Sequence, residues 1–201
     1  MARTGVVDVS LREVAAAVGV THAAAYRHFQ GKVDLLAEVA CRGFRRLRET
    51  LEEAMQGRSG EEAVVTAGTS YVLFALEHPG LFRVMFHPTL KPFADHPNLL
   101  TEATQSLGVL RRLLVELDEA PVAEGELATR TMTAWAIFHG QAMLQLDQQL
   151  AFPFGVGPAE AASAARAVFG ILVQALKTRD GAASPGASRE SPRKRRRNPA
   201  K

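Results

Sequence analysis

The stretch SLREVAAAVGVTHAAAYRHF, residues 10–29, constrains the fold more than any other part of the chain. Ser10 and Glu13 stand at the spacing of a capping box, in which the hydroxyl accepts a first-turn amide and the carboxylate accepts the cap's own amide. That opens a short helix over about 10–18. Gly19 closes it, because a residue without a Cβ enters positive φ freely. Thr21 is placed to cap a second short helix running to about Phe29. Two short helices joined by so tight a turn define a helix-turn-helix. The spacing predicts Ala15 at the crossing of the two helices, Val14 and Val18 pointing inward, Val20 plugging the turn, and Ala25 and Phe29 facing back from the second helix. Its outward face is then Thr21, His22, Ala23, Ala24, Arg27 and His28, with Tyr26 at the flank, a thin surface that fits a major groove.

Apolar residues elsewhere recur at intervals of three and four, and strand signals are weak, so the chain is expected to be all-α. A long helix is expected over about Lys32 to Met55, with Leu35, Leu36, Val39, Phe44, Leu47 and Leu51 on its inner side. GRSGEE at 57–62 reads as the domain boundary. Helices then follow over about 61–77, 81–86, 98–119, 124–150 and 158–177. Pro158 opens the last of these, and FPFGVGP at 152–158 precedes it. The expected division is 1–56 for the unit with the helix-turn-helix, 61–178 for a second helical domain, to which resemblance to a known family assigns effector binding and dimerisation, and 179–201 for a basic tail too poor in large apolar residues to order.

Charge is segregated along the chain. Residues 1–60 carry a net +2, residues 61–178 a net −5 and residues 179–201 a net +6. Basic ends around an acidic middle suit nucleic-acid contact at the N-terminal part. The single cysteine, Cys41, can form neither an internal disulfide nor a zinc cluster, and it sits in a helical pattern without a His or Asp partner. No apolar run reaches the ~20 residues of a membrane span, and 1–8 lacks a signal-peptide core, which points to a cytoplasmic protein.

GVTHAAAYRHFQGKVDLL strongly resembles the DNA-binding segment of the TetR family of transcriptional regulators. The family pattern is met by Gly19, Val20, Thr21, Ala25, Tyr26, His28, Phe29, Lys32, Leu35 and Leu36, within about the first fifty residues. The resemblance implies that Thr21, Tyr26, His28 and Lys32 hold phosphates, while His22, Ala23 and Ala24 face base edges and Ser10 adds a phosphate contact. In that family a full helix precedes the capping-box helix. Here Gly5 stands where it would end, so the first helix is expected to be missing or truncated, with a start upstream of Met1 favoured.

HPGLFRVMFHP at 78–88 and AWAIFHGQAML at 134–144 resemble a subgroup whose C-terminal domain is marked by a Trp and a His-Gly pair, here Trp135, His139 and Gly140. The effector cavity is accordingly placed on Phe82, Met85, Phe86, Trp135, Phe138, His139 and Met143, against the alternative that they are ordinary core. Gly140 would admit a neighbouring helix or ligand. His78, His87 and His96 each precede a proline. They are read as helix stops rather than metal ligands, because no carboxylate–His spacing supports a site. The last two long helices, about 124–150 and 158–177, carry apolar stripes with many small residues and would pair with those of a second copy.

The expectation is a homodimeric regulator of palindromic operator DNA, released by a small-molecule effector, with no cofactor and no metal. Repression as the sign of control comes from the resemblance. The alternative is a helical effector-binding dimer without competent DNA binding. Neither a Ser-His-Asp set, paired carboxylates nor a phosphate loop supports an enzyme.

Overall fold

The structure is a computed structural model, and it describes residues 10–117 and 121–177. The described residues form eight α-helices: α1 Leu11–Ala17, α2 His22–His28, α3 Lys32–Ala54, α4 Gly60–Glu77, α5 Pro79–Met85, α6 Pro97–Glu116, α7 Glu124–Leu146 and α8 Ala161–Lys177. Two short 3-10 turns, Pro88–Leu90 and Phe93–Asp95, lie between α5 and α6. The all-α expectation holds. The expectation of a missing or truncated first helix falls on residues 1–9 and the basic tail on 179–201, both outside the described residues.

α4 is apolar on nearly every side, as a helix at the centre of a bundle must be. It packs against α3, α5, α6, α7 and α8. Gly68 makes the tightest of these approaches possible. A Cβ there would lie 2.6 Å from the ring of Phe138 on α7 and 2.6 Å from that of Phe169 on α8. Gly43 on α3 does the same for α5, where a Cβ would come within 2.6 Å of the Met85 side chain. Two polar side chains in this interior find partners within their own helices. The Thr69 hydroxyl donates to the Val65 carbonyl at 2.8 Å, and the buried Arg130 pairs with Glu126 at 2.8 Å.

Two apolar clusters divide the structure. The smaller is Leu11, Ala15 and Ala25, with Phe29 and Leu35 packed against it. The larger begins at Leu36 and runs through α3 to Leu176. The packing therefore parts on α3, between Leu35 and Leu36, and not at residues 57–62, where the composition shift points. Residues 55–59 are only the short connection from α3 to α4, with Gly57 and the opening Gly60 of α4 at positive φ. Most of α3 belongs to the C-terminal core. Arg45 and Arg48 reach Glu102 of α6 at 2.6 and 3.6 Å, and Arg112 of α6 reaches Glu52 at 3.1 Å.

Several helix ends differ from expectation. α7 stops at Leu146 rather than near 150, because Gln148 takes φ +56° and breaks the ladder. α8 starts at Ala161 rather than at Pro158, after a turn in which the Gly157 amide donates to the Glu160 carboxylate at 3.0 Å. His78, His87 and His96 are helix entries as well as stops. Each is the N-cap of the element that follows, with its proline in the first turn.

Candidate nucleic-acid interface and effector cavity

The reader is built as its residues dictate. The Ser10 hydroxyl accepts from the Glu13 amide at 3.2 Å, and the Ser10 amide donates to the Glu13 carboxylate at 2.6 Å. That amide, followed by the Ser10 hydroxyl, holds the Glu13 carboxyl below its usual range. Gly19 takes φ +73°, and the amides of Gly19 and Val20 donate to the carbonyls of Ala16 and Ala15, the paired bonds of a Schellman stop. The Thr21 hydroxyl accepts from the Ala24 amide at 3.2 Å and caps α2. Its own proton is left to donate outward.

The residues of α2 divide as follows. Thr21, His22, Ala23, Tyr26, Arg27 and His28 are exposed, Ala25 is buried, and Ala24 is half-buried. Ala24 thus presents only part of its surface. Tyr26 is 49% exposed and its ring stands 4.5 Å from that of His22, one turn earlier. Ser10 is exposed at the start of α1, and Lys32 opens α3 half-buried. The amide of Gln30 is taken by the Asp34 carboxylate at 3.1 Å, so part of the anion-attracting end of α3 is already satisfied from within.

Ala15 is buried at the crossing, but two apolar residues are not where the spacing puts them. Val18 is 67% and Val20 45% exposed. The Schellman stop swings both out of the α1–α2 seam, which the small side chains of Ala15 and Ala25 fill, so neither valine seals it.

The second site is a cavity of about 290 Å³ inside the larger cluster. α3 supplies Phe44, Leu47 and Leu51. α6 supplies Leu100, Ala103 and Leu107 among others, and Tyr71 of α4 joins them. Of the expected residues, Phe86, Trp135 and Phe138 line it. Phe82 and Met85 do not: both are fully buried behind the wall. Met143 packs against the core one turn beyond His139 and is likewise off the wall. His139 stands just behind it. Its Nδ1 lies 3.0 Å from the Tyr71 hydroxyl, and its ring stacks on Phe82 at 5.5 Å and meets Trp135 at 5.8 Å. Burial, helped by the nearby Lys91 ammonium, lowers the imidazole pKa. In the neutral tautomer that carries its proton on Nε2, the ring accepts the Tyr71 proton at Nδ1. Burial also raises the Tyr71 phenol, so the phenol stays a donor.

A methyl placed on Gly140 would meet nothing within 4 Å, so no described helix of this chain uses the approach that this glycine offers. Sequence reasoning missed Tyr71, Lys91, Phe93 and the whole α3 and α6 walls. Tyr71 alone carries a signal, as a polar-tipped aromatic at the head of the apolar run YVLFAL, residues 71–76. Cys41 is buried, and that burial raises its thiol pKa, which disfavours the nucleophilic thiolate. Among the described residues no group of three His, Cys, Asp or Glu side chains is placed to hold a metal, and no helix is long and apolar enough to cross a membrane.

Comparison with known proteins gives consistent results. Residues 1–39 match the family profile described as bacterial regulatory proteins, tetR family, and residues 64–158 match the one described as tetracyclin repressor-like, C-terminal domain. An uncharacterized HTH-type transcriptional regulator, YobS of Bacillus subtilis (strain 168), is 27% identical over 140 residues, which cover 70% of each chain. A solved protein of unknown function from Rhodococcus sp. RHA1 superposes with a TM-score of 0.68 at 30% identity, over 84% of this chain and 87% of that one. The TetR family transcriptional regulator PfmR from Thermus thermophilus shares the fold, with a TM-score of 0.61 at 18% identity over 83% of this chain and 88% of that one.

Proposed function

The chain belongs to the TetR family of transcriptional regulators, and from that premise we propose that it is a ligand-responsive repressor that binds palindromic operator DNA as a homodimer. His22, Ala23 and Ala24 read base edges, and Ser10, Thr21, Tyr26, Arg27, His28 and Lys32 hold phosphates. The exposure of Tyr26, Arg27 and His28 on one short helix supports this assignment. The second copy docks on α7 and α8. A groove between them is lined by Thr133, Ile137, Val168 and Ile171, and Met132 and Ile171 are 61% and 73% exposed. Apolar side chains of that size standing in water mark a surface that is covered in use.

One observation carries the ligand response. α3 places Lys32 and Leu35 in the reader and Phe44, Leu47 and Leu51 in the cavity wall. An occupant that displaces this wall displaces the reader. The effector binds the conformer whose readers are badly spaced for the operator, and by linkage DNA weakens the effector as much as the effector weakens DNA.

The test is fluorescence anisotropy with duplexes from the DNA upstream of the protein's own reading frame. Binding to one palindromic site, much tighter than to a scrambled duplex and falling steeply with salt, is expected. Equal affinity for both duplexes defeats the operator reading. A second reading, an effector-binding dimer that leaves DNA alone, has the exposure of Val18 and Val20 on its side. It predicts no salt-dependent DNA affinity at all.

A further inference from the structure

We propose that the cavity between α3, α6 and α7 takes an apolar molecule that ends in a single carboxylate, held at the cavity edge by Lys91. This rests on reading the cavity as the effector site, and it specifies the chemical class of the effector.

Three observations lead to it. The wall is aromatic and aliphatic, with Phe44, Phe86, Phe93 and Phe138 on it, and Leu100 and Leu107 stand 44% and 40% exposed beside it. Apolar side chains left open to water around one cavity are covered when an apolar body enters. Size comes next. A cavity of ~150 Å³ takes one benzene, so by proportion about 290 Å³ takes roughly a dozen non-hydrogen atoms.

Charge is the third and decides the end group. Among the described residues, Lys91 is the only charged one on the wall. Its ammonium sits 3.8 Å over the Phe93 ring, which fixes it at the cavity, and among the described residues no carboxylate pairs with it. Aromatic walls alone would suit a quaternary ammonium, but Lys91 repels a cation and no described acidic side chain lines the wall to offset this. A carboxylate gains a charge-assisted hydrogen bond where the wall is otherwise dry.

The chain's single tryptophan, Trp135, lines the cavity and reports on it. The full-length protein is titrated with decanoate and 4-phenylbutanoate, and with the matched alcohols 1-decanol and 4-phenyl-1-butanol, following Trp135 emission. Each carboxylate is expected to bind roughly 3–10-fold tighter than its alcohol, as a partly exposed charge contact allows. Lys91→Gln removes that preference and Lys91→Arg keeps it. Lys91 is exposed, so both variants fold, and circular dichroism checks this. Ala103→Phe, which fills the cavity, abolishes binding of all four. A preference that is missing in the wild type, or that survives Lys91→Gln, overturns the carboxylate inference and leaves the cavity reading intact. Binding that survives Ala103→Phe in a folded variant places these ligands elsewhere and overturns it too. Failure of all four to bind the wild type removes the cavity reading itself.

Discussion

The Tyr71 hydroxyl lies 3.0 Å from Nδ1 of His139, which joins the central helix of the bundle to α7, one wall of the cavity. Tyr71 is buried and His139 half-buried, so few substitute partners reach the bond between them. Tyr71→Phe removes the donor and leaves the imidazole nitrogen unsatisfied, at an expected loss of about 1–3 kcal/mol in urea unfolding. His139→Gln retains a side chain able to accept from Tyr71 and is expected to lose less.

The same ring makes stability depend on pH. Burial first, and Lys91 second, hold the folded-state pKa of His139 below its ordinary 6.5. The unfolded chain therefore binds the proton more readily. The contribution is complete above about pH 6.5 and is lost as the pH falls through that value toward the folded-state pKa. Urea midpoints at pH 7.5 and 5.5 should differ in the wild type and differ less in His139→Gln.

Gly68 and Gly140 are expected to respond oppositely to alanine. Each substitution gains about 1 kcal/mol of helix propensity. At Gly68 the methyl meets the rings of Phe138 and Phe169, and overpacking of this kind costs ~1–3 kcal/mol, so the net effect on the melting temperature is a fall or no gain. At Gly140 the methyl meets nothing among the described residues, and the monomer is expected to gain. A loss at Gly140 that depends on protein concentration would report the approach of a second copy.

Ile171→Glu tests the pairing of α7 and α8. The residue is largely in water in the single chain, so folding is expected to survive. Sedimentation should shift from dimer to monomer, and operator affinity should fall by orders of magnitude because two half-sites are no longer joined.

In the reader, Arg27→Ala and Tyr26→Phe are expected to weaken binding to all duplexes alike, and Arg27→Ala should lower the salt slope by about one unit. Thr21→Ala adds the loss of the α2 cap, about 1 kcal/mol, and Thr21→Ser restores it.

The reader is the legible part of this chain because its determinants are local. Ser10 with Glu13, Gly19 and Thr21 each act within four residues of themselves, and each is found in the bond that its spacing implies. Val18 and Val20 escape such reasoning, since periodicity gives a helix face but not the swing of the chain after a Schellman stop. The cavity is legible only in part. Phe86, Trp135 and Phe138 lie in motifs that draw attention, whereas Phe44, Leu107 and Lys91 meet across long stretches of sequence and carry no local signal. Phe82 and Met85 share the composition of the wall and sit behind it, and only packing separates the two cases. Turn chemistry near 57–62 marks where α3 stops, whereas the two apolar clusters meet further up that helix, which no local signal shows.

A helix shared by two cores has mechanical consequences. From Leu47 in the cavity to Lys32 at its tip, α3 measures about 22 Å at 1.5 Å per residue. A tilt of only about five degrees around the cavity would carry the tip through roughly 2 Å by that length, more than a hydrogen bond to phosphate tolerates. Under the proposed ligand response no flexible joint is needed: the rod is the lever, its fulcrum is the chamber that a small molecule would fill, and the gearing is set by where along its length Leu35 gives way to Leu36.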